Sequence, residues 1–142
     1  MKLPEHVLII AALAIVNLTG CATPFRAPAD VAHVKLVRVD SPVVIVEKIW
    51  LERKNGPLVV KGFIVRRLGV SDTTRTHLDV TLYDEAGRVL RSSVEYFVPR
   101  QILHLHHRLP DLARYSVTLD TLPAGTTRIE VRAHEGDHPS GS

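Results

Sequence analysis

His104, His106 and His107, in the stretch HLHHR, form the densest grouping of metal-capable side chains in a chain of 142 residues. On an extended strand, residues two apart share a face, so His104 and His106 project together with Cβ atoms about 6–7 Å apart. Two imidazoles at that spacing can share one Zn²⁺ or Cu²⁺. His107 falls on the opposite face, in phase with Leu103, Leu105 and Leu109, and Arg108 shares the face of the pair, where its charge opposes a cation. A third ligand would have to come from His77, His134, His138 or a carboxylate brought there by the fold. The commoner arrangement is a polar strand face with one partly buried histidine; a metal site or a pH-sensing role is the alternative.

Other chemistry finds less to work with. Ser92, Ser93 and Ser116 fall on expected strands with no G-x-S-x-G elbow, and no pair of carboxylates has suggestive spacing. Neither a phosphate-cradling glycine loop nor a dinucleotide fingerprint occurs. The expectation is a protein without catalytic residues or a required cofactor. The net charge of +3 is small, and Arg alternates with Asp and Glu, which argues against a nucleic-acid surface. Arg66, Arg67, Arg88, Arg91, Arg100, Arg108 and Arg114 read most simply as scattered, solvated outward positions; a basic face for anionic lipid, lipopolysaccharide or an acidic partner is the alternative. Trp50 and Tyr96 read as core residues.

The elements that must hold these side chains are strands. In HLDVTLY, Leu78, Val80 and Leu82 alternate with His77, Asp79 and Thr81, the pattern of a strand with one face inside. DEAG (84–87) supplies a turn, and RVLRSSVEYFV returns with Leu90, Val94, Tyr96 and Val98 in phase as the expected inner face. VVIVEKIWLERK and LVVKGFIVRR flank Asn55–Gly56, a strong hairpin signal; Pro57 suggests a sheet edge and Gly62 a bulge. YSVTLD puts Tyr115, Val117 and Leu119 on one face, LPAG turns, and TTRIEVRA puts Ile129, Val131 and Ala133 inward, which reads as a further hairpin. With VAHVKLVRV near residue 31 and QILHLHHRL near residue 101, the count reaches seven or eight antiparallel strands at sandwich spacing. No helix-period segment is long enough for a βαβ unit.

The fold class is therefore all-β: one immunoglobulin-like or fibronectin-III-like sandwich over residues 31–134, with 135–142 as a polar tail. The hairpin around LYDEAGRVL and the LPAGTTRIEVRA close resemble small bacterial Ig-like envelope domains, including the group named for its Phe-x-Leu-Tyr-Asp motif. Val80, Leu82, Tyr83 and Asp84 stand where that motif would, with Val in place of Phe. This resemblance covers about a third of the chain and speaks to fold rather than function.

The first 21 residues carry a different message. Lys2 is followed by Val7–Leu18, twelve residues that are apolar apart from Asn17. That is shorter than the roughly 20 needed to span a bilayer and has the length of a signal-peptide core. Leu18, Thr19, Gly20 and Cys21 then resemble the lipobox of bacterial lipoproteins. The resemblance implies removal of residues 1–20 by signal peptidase II, with Leu18, Thr19 and Gly20 as its recognition residues, and acylation of Cys21, the chain's one cysteine. Two or three acyl chains make such an anchor effectively permanent. Ala22 in place of the Asp that commonly retains lipoproteins at the inner membrane favours the outer membrane. Residues 21–30, with two prolines, read as a tether. The functional expectation is a lipid-anchored envelope protein facing the periplasm, an adaptor or accessory subunit with an envelope protein as partner. The alternative is a metal-binding lipoprotein using His104 and His106.

Overall fold

The computed structural model describes residues 25–103 and 112–136. The apolar N-terminal run, Leu18 to Cys21, His104, His106, His107, Arg108 and His138 lie outside them. A 3₁₀ turn over Ala29–Val31 leads into seven strands: β1 (Lys35–Val39), β2 (Val44–Arg53), β3 (Leu58–Arg66), β4 (Thr76–Tyr83), β5 (Val89–Glu95), β6 (Leu112–Leu119) and β7 (Arg128–Glu135). They make two sheets, one in the order β1-β7-β4-β5 and one in the order β2-β3-β6. This is the expected β-sandwich. Its four-plus-three division matches the constant-type immunoglobulin sandwich, in which the first two strands are neighbours, whereas β1 and β2 here sit in different sheets.

The core lies where alternation put it on three strands: Leu78, Val80 and Leu82 of β4, Ile129 and Val131 of β7, and Val117 and Leu119 of β6 are buried between the sheets, where Val60 and Ile64 of β3 join them. The β2–β3 hairpin closes as expected: Asn55 and Gly56 both take positive φ, and the Lys54 N–H donates to the Pro57 carbonyl. Gly87, at φ 79°, completes the β4–β5 turn.

Several expectations need correction. β6 and β7 do not form a hairpin: β6 pairs with β3 and β7 with β4, so the LPAG segment carries the chain from one sheet to the other. β1 pairs with β7 in parallel, unlike the other pairs. Pro57 does not mark an edge, because it sits in the turn and β3 is the middle strand of its sheet. The bulge falls on β2 between Val46 and Lys48, and Gly62 stands beside it on β3, opposite Ile49. β7 runs through Glu135, whose carboxylate accepts hydrogen bonds from the Ser41 hydroxyl at 2.7 Å and the Thr76 hydroxyl at 2.9 Å, so the final strand extends into the segment read as tail.

The largest departure is β5. Its register sets Ser93 opposite Val80 and Arg91 opposite Leu82, so polar side chains face the core side, while Leu90 and Val94 lie on the outside. Leu90, Val94, Tyr96 and Val98 are 37%, 41%, 53% and 73% exposed, and Phe97, out of phase with them, is fully buried. A four-stranded sheet over a three-stranded one leaves an overhanging edge strand, and β5 is that strand. The chain after it is pinned by Thr73, which donates its hydroxyl proton to the Arg100 carbonyl and accepts from the Ile102 N–H. Residues 101–103 are not in a strand, and Ile102 belongs to the core.

Candidate functional site

The outer face of the three-stranded sheet carries a row of aromatic rings. Trp50 on β2 and Lys61 on β3 are register partners, as are Lys48 and Phe63, and Phe63 and Arg114 of β6. Because partners directly across a sheet share a face, Trp50, Phe63, Lys48, Lys61 and Arg114 all point away from the core. Phe25 folds back onto the same face, its ring centroid 4.5 Å from that of Trp50, which is 5.2 Å from Phe63. Lys48 Nζ stands 3.7 Å above the Phe25 ring and the Arg114 guanidinium 5.7 Å from that of Phe63. Cations over aromatic faces gain from the ring quadrupole while keeping their charge available to a second partner. Lys61 also donates to Glu52 at 2.7 Å, which holds the Glu52 carboxyl below the usual range.

Tyr96 and Val98 form one wall of this face. The Val98 and Arg114 backbones exchange hydrogen bonds of 2.8 and 2.9 Å, which pulls the chain leaving β5 against the edge of β6. The result is a groove of about 550 Å³ with Trp50, Phe63, Lys61 and Arg114 as floor and Tyr96 and Val98 as wall. Gly62 lies beneath it: a Cβ there would collide with the Lys48 carbonyl oxygen and the Tyr115 hydroxyl. That hydroxyl donates to the same carbonyl at 3.3 Å, beside the bulge, and burial pushes its pKa up, so it remains a neutral donor. The glycine thus lets an inward tyrosine brace the strand that presents Trp50.

The sheet edges form a second feature. On β2, the Val46 N–H donates to the Asp40 carboxylate at 2.9 Å, the Val44 N–H donates to the Ser41 hydroxyl at 3.1 Å, and the Glu47 carbonyl accepts from Arg38. On the outer edge of β5, no strand pairs among the described residues. One edge is closed by side chains; the other presents backbone groups beside exposed Val89, Leu90 and Val94.

Two histidines proposed as supplementary ligands do meet. His77 and His134 are register partners on β4 and β7, with ring centroids 5.2 Å apart. Asp79 lies 3.7 Å from His77 and 3.9 Å from His134. His77 is buried under Tyr96 on the outer face rather than solvated, a departure from the expected polar side of β4. Among the described residues no group of three or more His, Cys, Asp or Glu is placed to hold a metal ion. His104 and His106 lie outside the described residues, as do Leu18, Thr19, Gly20 and Cys21.

The arginines take separate local roles. Arg88 closes its own turn on Asp84, and that backbone and side-chain contact holds the Asp84 carboxyl below its usual range. Arg67 meets Ser41 and Asp40, and Arg100 lies 4.1 Å over the Tyr96 ring.

Comparison with family models, with curated proteins and with solved structures found no match to this chain. Sequence reasoning missed the groove because Trp50 and Tyr96 were read as core. The signal that could have found it is β3 itself: Leu58–Val65 is apolar at nearly every position, the pattern of a strand covered on both faces.

Proposed function

We propose that this chain is a non-enzymatic lipoprotein of the bacterial envelope, held by acylated Cys21 at the outer membrane facing the periplasm, and that it serves as an adaptor or accessory subunit. In this reading the β5 edge takes up an extended segment of an envelope protein by strand addition. The observation that carries it is the contrast between edges: β2 is closed by Asp40, Ser41 and Arg38, while the outer edge of β5 meets no strand among the described residues and carries exposed Val89, Leu90 and Val94. Exposed sheet edges are usually protected, and an open one with exposed apolar side chains supplies both the backbone and the side-chain half of strand recognition. The anchor rests on the Leu18-Thr19-Gly20-Cys21 pattern.

A photo-crosslinking residue placed at Ser92 on β5, with a control at Thr118 on β6, tests this in cells. A discrete adduct from position 92, reduced when Cys21→Ser removes the anchor, is the expected result. Equal adducts from both positions, or none from β5, refute the edge. Fatty-acid labelling that survives Cys21→Ser refutes the anchor independently.

A further inference from the structure

The two outer faces of the sandwich differ in charge pattern. On the four-stranded sheet, Arg132 pairs with Glu130 at 2.9 Å and stands across from Asp79 in the β4–β7 register, so opposite charges are interleaved. On the three-stranded sheet, Lys48 and Arg114 meet aromatic faces rather than carboxylates among the described residues, and Glu52 on Lys61 is the one acidic side chain described in contact with the row. A surface that sets part-exposed aromatic rings among cations matches the headgroup layer of an anionic bilayer, where amphipathic rings rest at the interface and Lys and Arg meet phosphates.

Chain length adds a second, independent constraint. Phe25, stacked on Trp50, is four residues after Cys21. Four residues span at most about 14 Å even when fully extended. If Cys21 carries the acyl chains, the Phe25 corner of this sheet face is held within about that distance of the lipid. We propose that the outer face of the three-stranded sheet lies on the membrane: Phe25, Trp50 and Phe63 rest at headgroup level, and Lys48, Lys61 and Arg114 bind the phosphates of anionic lipids. The proposal builds on the acylation of Cys21 and goes beyond it, since an anchor alone leaves the domain free to tumble on its tether. With this face down, the four-stranded sheet faces away from the membrane and the β5 edge stays open at the side.

Trp50 is the chain's single tryptophan and stands in the middle of the patch, so the native protein reports on it. The test uses the full lipidated protein reconstituted in vesicles of phosphatidylethanolamine and phosphatidylglycerol, against vesicles of phosphatidylcholine and against detergent. Expected in the anionic vesicles are a blue-shifted Trp50 emission, quenching by lipids brominated near the headgroup, and protection from acrylamide. In the Lys48→Gln/Lys61→Gln/Arg114→Gln variant the protein stays membrane-bound while lipid quenching falls to the phosphatidylcholine level. Removing three interfacial cations corresponds to roughly a hundredfold weaker docking. Lys48→Gln alone, with circular dichroism to verify its fold, gives a smaller drop in the same direction. Trp50 that is equally open to acrylamide in vesicles and detergent overturns the proposal, as does Trp50 that is equally shielded in both, which would mean that protein covers the face. Mass spectrometry of the same sample reports acylation separately. An acylated protein with no lipid quenching loses the docked face and keeps the anchor; an unacylated one loses both.

Discussion

β4 and β5 are the two arms of one hairpin, written with similar alternation and joined by five residues (84–88), yet they live in different environments. Leu78, Val80 and Leu82 are at most 1% exposed, whereas Leu90 and Val94 are more than a third exposed. β4 is flanked by β7 and β5 and roofed by the second sheet; β5 hangs past that roof with one neighbour. Alternation therefore announces two faces, and the cover from the opposite sheet decides which face, if either, is inside. Edge position converts a stabilising strand into one available for recognition, because its outer hydrogen-bonding groups and apolar side chains are not consumed by the fold.

The sharpest way to break this contrast uses two adjacent residues. Phe97→Ala should cost about 3–5 kcal/mol by removing a fully buried ring, while Tyr96→Ala beside it stays within about 1 kcal/mol. Urea midpoints at constant slope measure both; equal losses would mean that the chain leaving β5 is packed on both sides. Leu82→Ala on β4 should cost about 2–5 kcal/mol and Leu90→Ala on β5 about 0.5 kcal/mol or less, with crosslinking to a partner reduced only in the second. A reversed order would place β5 in the core.

Gly62→Ala introduces a Cβ against the Lys48 carbonyl and the Tyr115 hydroxyl, for an expected loss of about 1–3 kcal/mol. Tyr115→Phe removes one long hydrogen bond to that carbonyl and should cost about 0.5–1.5 kcal/mol. In the combination, Tyr115→Phe should recover part of the Gly62→Ala loss, a coupling that a double-mutant cycle reads directly.

The smallest expected effect is that of pH on surface turns and ties. Arg53 holds Asp30 down, Lys61 holds Glu52, the Thr74 N–H holds Asp72 and the Arg88 N–H holds Asp84. Each folded-state pKa is depressed, so the stability these groups contribute is present above their ordinary values of 3.8 for Asp and 4.5 for Glu. It is lost as pH falls through the lower folded-state values. Thermal midpoints should be flat down to about pH 5 and then decline. Because the Asp30 and Glu52 carboxylates and Asp72 are well exposed, high salt should blunt the decline, least for the more sheltered Asp84; a rise in stability on acidification would contradict the assignment.

Much of the fold was legible in the sequence, and the reason differs by element. Val80, Val117 and Val131 were placed inside correctly because each sits on a strand with one wet and one dry face, where a period of two is unambiguous. Asn55–Gly56 was read correctly because positive φ at successive positions is a local demand on residue type. The same reasoning failed at LPAG, since turn residues report a change of direction and not the sheet to which the next strand goes. It failed for Trp50 and Tyr96 because burial statistics for aromatic residues carry no information about neighbours distant in sequence. The aromatic row needs Phe25, Trp50 and Phe63 together, and the histidine pair needs His77 and His134, residues 57 apart in the chain brought side by side by β4–β7 register.

The sequence by itself determined the alternation of β4, β6 and β7 and the Asn55–Gly56 turn, because side-chain period and dihedral preference are local properties. Only the tertiary structure decided which sheet each strand joined, which edge stayed open and which aromatic residues reached the surface. Those outcomes depend on what packs across about 10 Å of core from a different part of the chain.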